Sequence, residues 1–497
     1  MKRNFFCLVL LVVCAFAHNE VQSADLTWAS PFQDHMVLQR NMPVTIWGKG
    51  TPRETVDVQF DGQTASAKVD DDGKWMLHLK PIAAGGPHVL SASSAGQKIE
   101  CRDVLVGEVW ICSGQSNMQM GYKSIPEINA LAEKAKSLPI RCLRVTQDVS
   151  FEPRESCECE WIVGPGISAV ATTFANDLQQ ALDVPVGVIE TCWGSSSIEG
   201  WMPRSLAEQL PHFRAKLETF DTEDHDRVAK LIDEATSGKR WQRDDNIYLR
   251  TRPNILYNAM LHPLAPLTVR GMVWYQGESN SHSIETMQQY GETLSVWTKF
   301  LRKEFDDPDF QMLAVMLPRF GRIARSSPTK DVEDPTAHGW AWIRESQARL
   351  LELPNTALAT TIDLGHMTNI HPTDKRPVGK RLALKAQALL SPGSVEDSGP
   401  MLEELTVEGS TAVVQFSHAA GLKTTDGKAP TAFWIAGKDR QWKPAEATIE
   451  GTTVRLTNAE VPKPVAVRYA FASFPEVNLV NADGLPAVPF RTDRDQP

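Results

Sequence analysis

The sequence predicts an α/β protein, in which a parallel β-sheet covered by helices is flanked by an antiparallel β domain at each end of the chain. Three observations predict this class. Short runs that alternate between apolar and polar residues occupy both ends of the chain. Longer, continuously apolar runs alternate with helical patterns in the middle. The length of 497 residues also exceeds what a single hydrophobic core usually serves, so several domains are expected.

The first 23 residues are expected to be a secretory signal peptide rather than part of the fold. A short basic start precedes the apolar run 5–17. This run has the length of a signal-peptide core and is too short to span a membrane. Cleavage is expected between Ser23 and Ala24, with a cut after Ala17 as the alternative. The mature chain is therefore expected to be soluble and exported, either secreted or periplasmic.

Residues 24–103 are predicted to form a small β-sandwich-like domain. The period-two pattern of half-buried strands is present in three runs, at 43–48, 56–60 and 74–79. Asp61-Gly62 separates two strand patterns, and Asp-Gly is a frequent turn dipeptide of antiparallel hairpins. Residues 396–497 repeat the alternation and predict a second β domain. The alternative, one sheet completed by both termini, stays open at this point.

Residues 104–395 are predicted to form the parallel α/β domain. Apolar strands are predicted at 104–111, 186–190, 271–275 and 355–362, and helices at 169–182 and 378–390. In such sheets, the reacting groups lie beyond the carboxyl ends of the strands. The charged segment at about 211–245 is expected to be a solvated helical insertion.

Composition excludes some classes of partner. The chain has 51 Lys and Arg against 61 Asp and Glu, a net charge of −10, which argues against nucleic acid or an anionic membrane as a partner. Its 14 Trp against 6 Tyr suit a protein that stacks on sugar rings, although most of these rings are expected to fill cores. The six cysteines beyond the signal peptide have no zinc-site spacing and are expected to form between zero and three local disulfides.

Four polar segments follow the predicted strands. Ser116 lies in a Gly/Ser-rich turn after the strand 104–111, where a hydroxyl is exposed for nucleophilic attack; the alternative is a simple helix-capping turn. Gly194 follows the second strand, and its lack of a side chain lets backbone N–H groups approach a ligand. Gln276 follows the third strand and offers an amide donor to an oxyanion. His371, just before the last helix, is a candidate general base.

In this order, the four segments resemble the SGNH (GDSL-like) hydrolase superfamily, and specifically its sialate O-acetylesterase-like carbohydrate esterases. The resemblance lies in a nucleophile block at 114–118, a glycine block at 193–196, a third block at 274–278 and a histidine block at 371–372. Residues 32–40 and 484–493 resemble the entry strand and the C-terminal signature of the same family. The likeness therefore covers nearly the whole mature chain.

The resemblance implies an SGNH-type three-layer α/β/α core between the two β domains. It implies that Ser116 is the nucleophile and His371 the general base, and that the oxyanion hole combines the Ser116 and Gly194 N–H groups with the Gln276 side chain. Two further residues of these blocks, Asn117 and Glu278, are candidates for substrate binding. The implied activity is an exported serine esterase that removes O-acetyl groups from acetylated sugars through an acyl-enzyme, without a metal or cofactor.

The residue that orients His371 is left open by the sequence. The superfamily usually has an Asp two or three residues before the histidine, where this chain has Asn369 and Thr368. Asn369 is one candidate, through its side-chain oxygen. Asp363, after the last predicted strand, is the other, although capping the following loop is its more ordinary role.

Two other functions stay open beside the esterase of acetylated sugars. One is a deacetylase of acetylxylan or another polysaccharide. The other is a non-catalytic carbohydrate-binding protein with a degenerate hydrolase core. The sequence leaves the oligomeric state undetermined.

Overall fold

The computed structural model describes residues 25–321, 331–336 and 339–495. The predicted signal peptide lies outside the described residues. In the part that is described, a mixed sheet of eleven strands forms the centre of the molecule, and smaller antiparallel sheets accompany it. None of the helices in these ranges has the length and hydropathy that a membrane crossing requires.

The N-terminal region is mainly antiparallel, as the alternating pattern predicts, with one parallel strand pair. Its strands are β1 (Thr27–Trp28), β2 (Val37–Gln39), β3 (Val44–Lys49), β4 (Thr55–Phe60), β5 (Gln63–Lys68), β6 (Lys74–Leu79), β7 (Gly85–Ser94) and β8 (Gln97–Gly114). Strands β1, β3 and β6 form one small sheet, and β4 pairs with β5 and β7. Asp61 and Gly62 connect β4 to β5 with φ angles of 45° and 74°, the left-handed backbone that a two-residue hairpin requires.

Strand β8 joins the N-terminal region to the central sheet. It is 18 residues long. Its first half pairs antiparallel with β7, and residues 108–114 pair in parallel with a core strand. The boundary expected between residues 103 and 104 therefore falls inside one continuous strand. Part of the N-terminal region extends the central sheet instead of forming a separate sandwich.

The central strands carry the predicted parallel pattern. They are β9 (Ile140–Val145), β10 (Cys159–Val163), β11 (Val186–Cys192), β12 (Gly271–Tyr275), β13 (Gln311–Val315) and β15 (Thr356–Ala359), whereas β14 (Arg319–Phe320) and β16 (Gly365–His366) form a separate two-stranded sheet. The order across the sheet is β10-β9-β11-β8-β12-β13-β15, and every neighbouring pair is parallel except β10 with β9. β12 has the predicted bounds, whereas β15 is shorter than the apolar run 355–362.

The helices lie mainly between these strands. They are α1 (Ser116–Gln119), α2 (Pro126–Ala135), α3 (Ala169–Leu182), α4 (Arg204–Ala207), α5 (Arg214–Thr219), α6 (His225–Thr236), α7 (Arg243–Leu249), α8 (Ile284–Glu304), α9 (Ala341–Ala348) and α10 (Lys375–Leu390). Short 3₁₀ turns lie at Tyr122–Ser124, Ile198–Trp201, Pro211–Phe213, His262–Leu264, Glu278–Asn280 and Arg349–Glu352, and π turns at Phe220–Asp224 and Tyr257–Leu261. The bounds of α3 match the prediction, α10 begins three residues early, and the charged insertion is helical as expected.

Helices pack on both faces of the parallel strands. Trp110 on β8 contacts Phe174 on α3, with ring centroids 5.5 Å apart. Trp274 on β12 points to the opposite face and contacts Trp297 on α8 at 4.5 Å. These rings are buried, and seven of the 14 tryptophans rank among the largest fully buried side chains. Many of the tryptophans therefore serve the core, as their commonest use predicts.

The C-terminal region is a separate antiparallel unit. Its strands are β17 (Met401–Glu408), β18 (Thr411–Ser417), β19 (Lys423–Thr424), β20 (Phe433–Ala436), β21 (Trp442–Pro444), β22 (Glu446–Glu450), β23 (Thr453–Thr457), β24 (Ala466–Tyr469), β25 (Leu479–Val480) and β26 (Phe490–Arg491). Among the described residues, none of these strands pairs with the central sheet. The alternative left open by the sequence, one sheet completed by both termini, therefore does not form. The six described cysteines are free thiols.

A glycine at the end of β8 is a sensitive point of the fold. Gly114 has φ +137°, and a Cβ at this position would stand 2.2 Å from the Tyr275 carbonyl oxygen. We expect Gly114→Ala to lower the free energy of unfolding by about 2–4 kcal/mol, from backbone strain plus displacement of β12. Denaturant unfolding followed by tryptophan fluorescence measures this change in the free energy of unfolding.

The matched control is Gly393→Ala. Gly393 has φ +79° with nothing within 4 Å of an added Cβ, so it carries the backbone penalty alone, about 1 kcal/mol. Equal losses in the two variants would contradict the close approach of β8 and β12.

Candidate active site

The strand register places three of the predicted segments beside one another. Gly114, the last residue of β8, pairs with Cys192 at the end of β11 and with Tyr275 at the end of β12. The three strands therefore end level, and the loops that follow them meet at one edge of the sheet. Ligands of open α/β sheets bind at this edge.

Ser116 occupies the turn between β8 and α1. The Gln115 N–H donates to the Tyr275 carbonyl oxygen at 3.1 Å, which turns the chain sharply after Gly114. Ser116 is the first residue of α1, and its side chain is half-buried. The hydroxyl therefore lies at the carboxyl edge of the sheet, as the turn motif predicts.

His371 reaches the Ser116 hydroxyl. Its Nε2 lies 2.8 Å from Ser116 Oγ, across 255 residues of sequence. The pKa of His371 lies below the ordinary value of 6.5, because partial burial and the nearby Lys375 ammonium disfavour the charged ring. At neutral pH the ring is therefore mainly neutral, and Nε2 can accept the serine proton. This is the arrangement of a nucleophile and its general base.

Asn117 binds the loop that carries His371. The Asn117 amide donates to the Ile370 carbonyl oxygen at 3.0 Å and to Glu278 Oε1. The Asn117 carbonyl oxygen accepts from Lys375 Nζ at 2.7 Å. One buried amide next to the nucleophile therefore links the histidine loop, the third block and the start of α10.

The groups around Asn117 are strongly desolvated. Burial lowers the pKa of Lys375 to about 8, although Glu278 and Asp374 oppose this shift. Burial raises the pKa of Glu278, against the opposing effects of Asn117 and Lys375. Asn117 and Glu278 are only 1% and 5% exposed. Both side chains are thus buried next to the serine–histidine pair, and their role in substrate binding stays a prediction.

Asn369 contacts the backbone of His371 rather than its ring. The Asn369 amide donates to the His371 carbonyl oxygen, and its side-chain oxygen accepts from the His371 N–H, both at 3.0 Å. Both ends of the side chain are thereby used, and neither reaches Nδ1. Asn369 shapes the loop, which differs from the predicted contact with the ring.

Asp363, the other candidate to orient His371, pairs with an arginine instead. Its two oxygens accept from the guanidinium of Arg381 at 2.7 and 2.6 Å. This bidentate pair binds the Asp363 carboxylate to Arg381 of α10. Asp363 therefore does not orient His371 in this structure. Within the described ranges, no hydrogen-bond partner reaches His371 Nδ1, so the structure places a serine–histidine pair without a third side chain.

Gly194 lies beside Ser116, as the glycine block predicts. A Cβ on Gly194 would stand 3.3 Å from Ser116 Cβ, so only glycine leaves the space between them open. The Gly194 N–H donates to Gln119 Oε1 at 2.7 Å. This donor is therefore available to an oxyanion only when the Gln119 side chain moves aside.

Gln276 lies in a buried hydrogen-bond network, and its role as an oxyanion donor stays a prediction. It is fully buried, and its amide nitrogen lies 2.7–3.2 Å from three acceptors, Gln115 Oε1, the Ser196 carbonyl oxygen and Asn280 Oδ1. Its side-chain oxygen accepts from the Tyr290 hydroxyl at 2.7 Å. The structure thus uses Gln276 to tie the loops after β8, β11 and β12 together.

A family model described as carbohydrate esterase, sialic acid-specific acetylesterase matches residues 106–220 and 212–388. These stretches cover more than half of the chain and contain all the strand-end loops described above. The chain belongs to this family of carbohydrate esterases. It is therefore a carboxylic ester hydrolase, and the resemblance seen in the four sequence blocks is confirmed.

Curated relatives of this acetylesterase family span nearly the whole chain. The mouse sialate O-acetylesterase is 28% identical over 95% of this chain and 93% of the relative, and the human one is 28% identical over 93% and 92%. Among solved structures, a carbohydrate acetylesterase from Xanthomonas citri is 33% identical, with a TM-score of 0.80, and covers 95% of this chain and 100% of that one. The β regions at both ends are thus part of what these esterases share.

Sequence reasoning missed two residues of the site. Gln119 lies three residues after Ser116, so it shares a helix face with the nucleophile. Lys375 lies four residues after His371 and is buried at the start of α10. The spacing is a usable signal for Gln119, whereas an isolated lysine in a sequence is normally assigned to the surface.

The ion pair of Asp363 generates a prediction for this esterase. We expect Asp363→Asn to keep kcat within about threefold of wild type, because no contact links Asp363 to His371, whereas amidation of a true triad Asp costs roughly 10⁴-fold. The free energy of unfolding should fall by about 1–3 kcal/mol through loss of the charged hydrogen bonds to Arg381. Steady-state kinetics and denaturant unfolding measure the two effects; a collapse of kcat with unchanged stability would instead make Asp363 a catalytic residue.

The charge of Lys375 generates a second prediction, on pH dependence. Activity should rise with pH as His371 loses its proton, and burial together with the Lys375 ammonium keeps the pKa of His371 below 6.5. In Lys375→Met the repelling charge is gone, so the midpoint of the kcat/KM profile should move to higher pH. Lys380→Met, an exposed residue of α10, is the matched control and should leave the midpoint unchanged. An unmoved midpoint in Lys375→Met would show that its ammonium does not act on His371.

Proposed function

We propose that the chain is an exported serine esterase with an SGNH-type core, which removes O-acetyl groups from acetylated sugars through an acyl-enzyme on Ser116. The observation that carries the proposal is the 2.8 Å contact between Ser116 Oγ and His371 Nε2 at the carboxyl edge of the parallel strands. The sialate O-acetylesterases of mouse and human, similar over nearly the whole chain, support the choice of an acetylated sugar as substrate.

Acylation starts with the neutral histidine. His371 Nε2 takes the proton of Ser116 as Oγ attacks the carbonyl carbon of the acetyl group. The negative charge that develops on the carbonyl oxygen is stabilised by backbone N–H groups at Ser116 and Gly194, once Gln119 has released the latter. The intermediate collapses when the imidazolium gives its proton to the sugar oxygen, which leaves acetyl-serine and a free hydroxyl on the sugar.

Deacylation repeats these roles with water. His371 removes a proton from the water molecule that attacks the acetyl-serine carbonyl carbon, and the same N–H groups hold the oxyanion. The proton then returns to Ser116 Oγ, and acetate leaves. No metal or cofactor enters these steps.

The proposed pair works without a carboxylate on His371 Nδ1. The imidazolium formed in each step is then less stabilised than in a full triad. Positioning must come from the loop itself, through the Asn369 contacts to the His371 backbone and the Asn117 contact to the residue before it. We infer that these contacts replace the orienting role of the missing carboxylate, but not its charge.

The other functions that the sequence left open are less well supported. A non-catalytic carbohydrate-binding protein has no need for a serine within hydrogen-bond distance of a histidine, and this pair is intact here. A deacetylase of acetylxylan or another polysaccharide uses the same chemistry and differs in the shape of the sugar. Acetate release from a panel of acetylated sugars separates these substrates.

Export stays part of the proposal. The basic start and the apolar run 5–17 support a signal peptide, so that the enzyme acts in the periplasm or outside the cell. The intact mass of the exported protein tests this proposal. A mass that corresponds to a chain beginning at Ala24 would support export with cleavage, and a mass that still includes residues 1–23 would oppose it.

The nucleophile assignment has a direct test. We expect Ser116→Ala to lower kcat on a small acetyl ester by on the order of 10⁴–10⁶-fold, leaving the part that binding and the oxyanion donors supply. Ser205→Ala, an exposed serine of α4, is the matched control and should keep wild-type turnover. Rapid quenching followed by peptide mass analysis should place an acetyl group on the peptide that contains Ser116. Normal turnover in Ser116→Ala would end the assignment.

A further inference from the structure

Two thiols lie close together at the start of β10. Cys157 and Cys159 are alternate residues, and the exposed Glu158 separates them. The Thr146 N–H donates to the Glu158 carbonyl oxygen at 2.8 Å, which continues the pairing of β9 with β10 and keeps this segment extended. Side chains of alternate residues in an extended segment point to the same side, so both sulfurs lie on one face.

Both sulfurs contact the same residue of the N-terminal region. Cys157 Sγ lies 3.8 Å from the Ser30 hydroxyl oxygen, and Cys159 Sγ donates to the Ser30 carbonyl oxygen at 3.3 Å. The Cys157 N–H donates to the same hydroxyl at 3.3 Å. The Gln33 amide donates to Cys159 Sγ at 3.7 Å. These contacts hold the two thiols side by side in an otherwise exposed segment.

The accessibility of these two thiols sets them apart. Both are half-buried, whereas the other four described cysteines are buried. Burial raises the pKa of those four thiols and keeps them protonated and unreactive; they are Cys101, Cys112, Cys142 and Cys192.

Hydrogen bonds favour the thiolate of Cys157. A hydrogen bond from the Cys159 thiol lowers the pKa of Cys157; burial opposes this, and the Ser30 hydroxyl supports it. The same hydrogen bond raises the pKa of Cys159, because the donor must keep its proton, and burial acts in the same direction. A thiolate beside a protonated thiol is the arrangement of an attacking and a resolving cysteine.

We propose that Cys157 and Cys159 form a redox-active dithiol that exchanges with low-molecular-weight disulfides. The Cys157 sulfur attacks one sulfur of such a disulfide, and the other sulfur leaves as a thiolate. Cys159 then loses its proton to solvent and attacks Cys157 Sγ, which closes a disulfide between the two cysteines and releases the second thiolate. Two electrons pass in this way from the protein sulfurs to the small disulfide.

The spacing makes this disulfide easy to reduce again. Alternate Cα atoms of an extended segment are about 6.6 Å apart. This is close to the upper limit of roughly 6.8 Å at which disulfides form. Closing the bond therefore strains the segment, and strained disulfides are reduced more readily than structural ones. We expect the exchange to be reversible.

The test equilibrates the whole protein with reduced and oxidised glutathione in graded ratios. Acid quenching, alkylation of the free thiols and tandem mass spectrometry then report the state of each cysteine. We expect the disulfide between Cys157 and Cys159 to fall from about 90% to about 10% over a roughly 100-fold rise in [GSH]²/[GSSG], as a two-electron exchange requires. Return to the oxidising buffer should restore it.

Two variants separate the roles of the thiols. Cys159→Ser should trap glutathione on Cys157, whereas Cys157→Ser should take up glutathione on Cys159 at least about tenfold more slowly. Cys101→Ser is the matched control, because burial raises the pKa of Cys101 to about 12, and it should leave the titration of the pair unchanged.

Four outcomes overturn the inference. They are no oxidation of the pair at any ratio, glutathione on both cysteines without an internal disulfide, a disulfide that persists at the highest GSH concentration, and equal trapping rates in the two variants. Should a variant fail to fold, the titration of the wild-type pair decides.

Discussion

The parallel pairing of β8 with β11 and β12 is the constraint on which the candidate site depends. Because Gly114 is level with the last residues of both neighbours, three loops that are distant in sequence begin at the same height. The approach is close enough that Gly114 has no room for a Cβ against the Tyr275 carbonyl oxygen. A slip of one register step would face the side chains the other way and separate Ser116 from the loops that serve it.

Buried polar groups then convert this alignment into a fixed geometry. Gln276 ties the three loops to one another, and Asn117 ties them to the segment that carries His371. Each amide is almost completely removed from water, and each has both its donor and its acceptor satisfied. Such networks restrict motion because every alternative conformation leaves a desolvated group unpaired. The serine–histidine pair therefore lies on a support that tolerates little displacement.

The charged helical insertion also packs against the candidate site. The strand-end loops carry Ser116, His371 and Gly194, and the charged helical insertion packs beside them. The Trp193–Trp241 stack joins the two parts. A charged segment that was expected only to be solvated therefore has a side that faces the site.

The sequence by itself determined the class of the fold, most of the central strands and helices, and the family. It also predicted that Ser116, His371 and Gly194 lie in one site. These follow from local signals, namely apolar runs, turn dipeptides and motifs confined to a few neighbouring positions. Only the tertiary structure decided that the N-terminal strands continue the central sheet through β8 and that the C-terminal strands do not. It also decided that Gln276, Asn117 and Glu278 are turned inward and that Asp363 pairs with Arg381. The physical reason is that a polar side chain's role depends on which partners surround it and whether water is excluded, and those partners come from segments up to 258 residues apart.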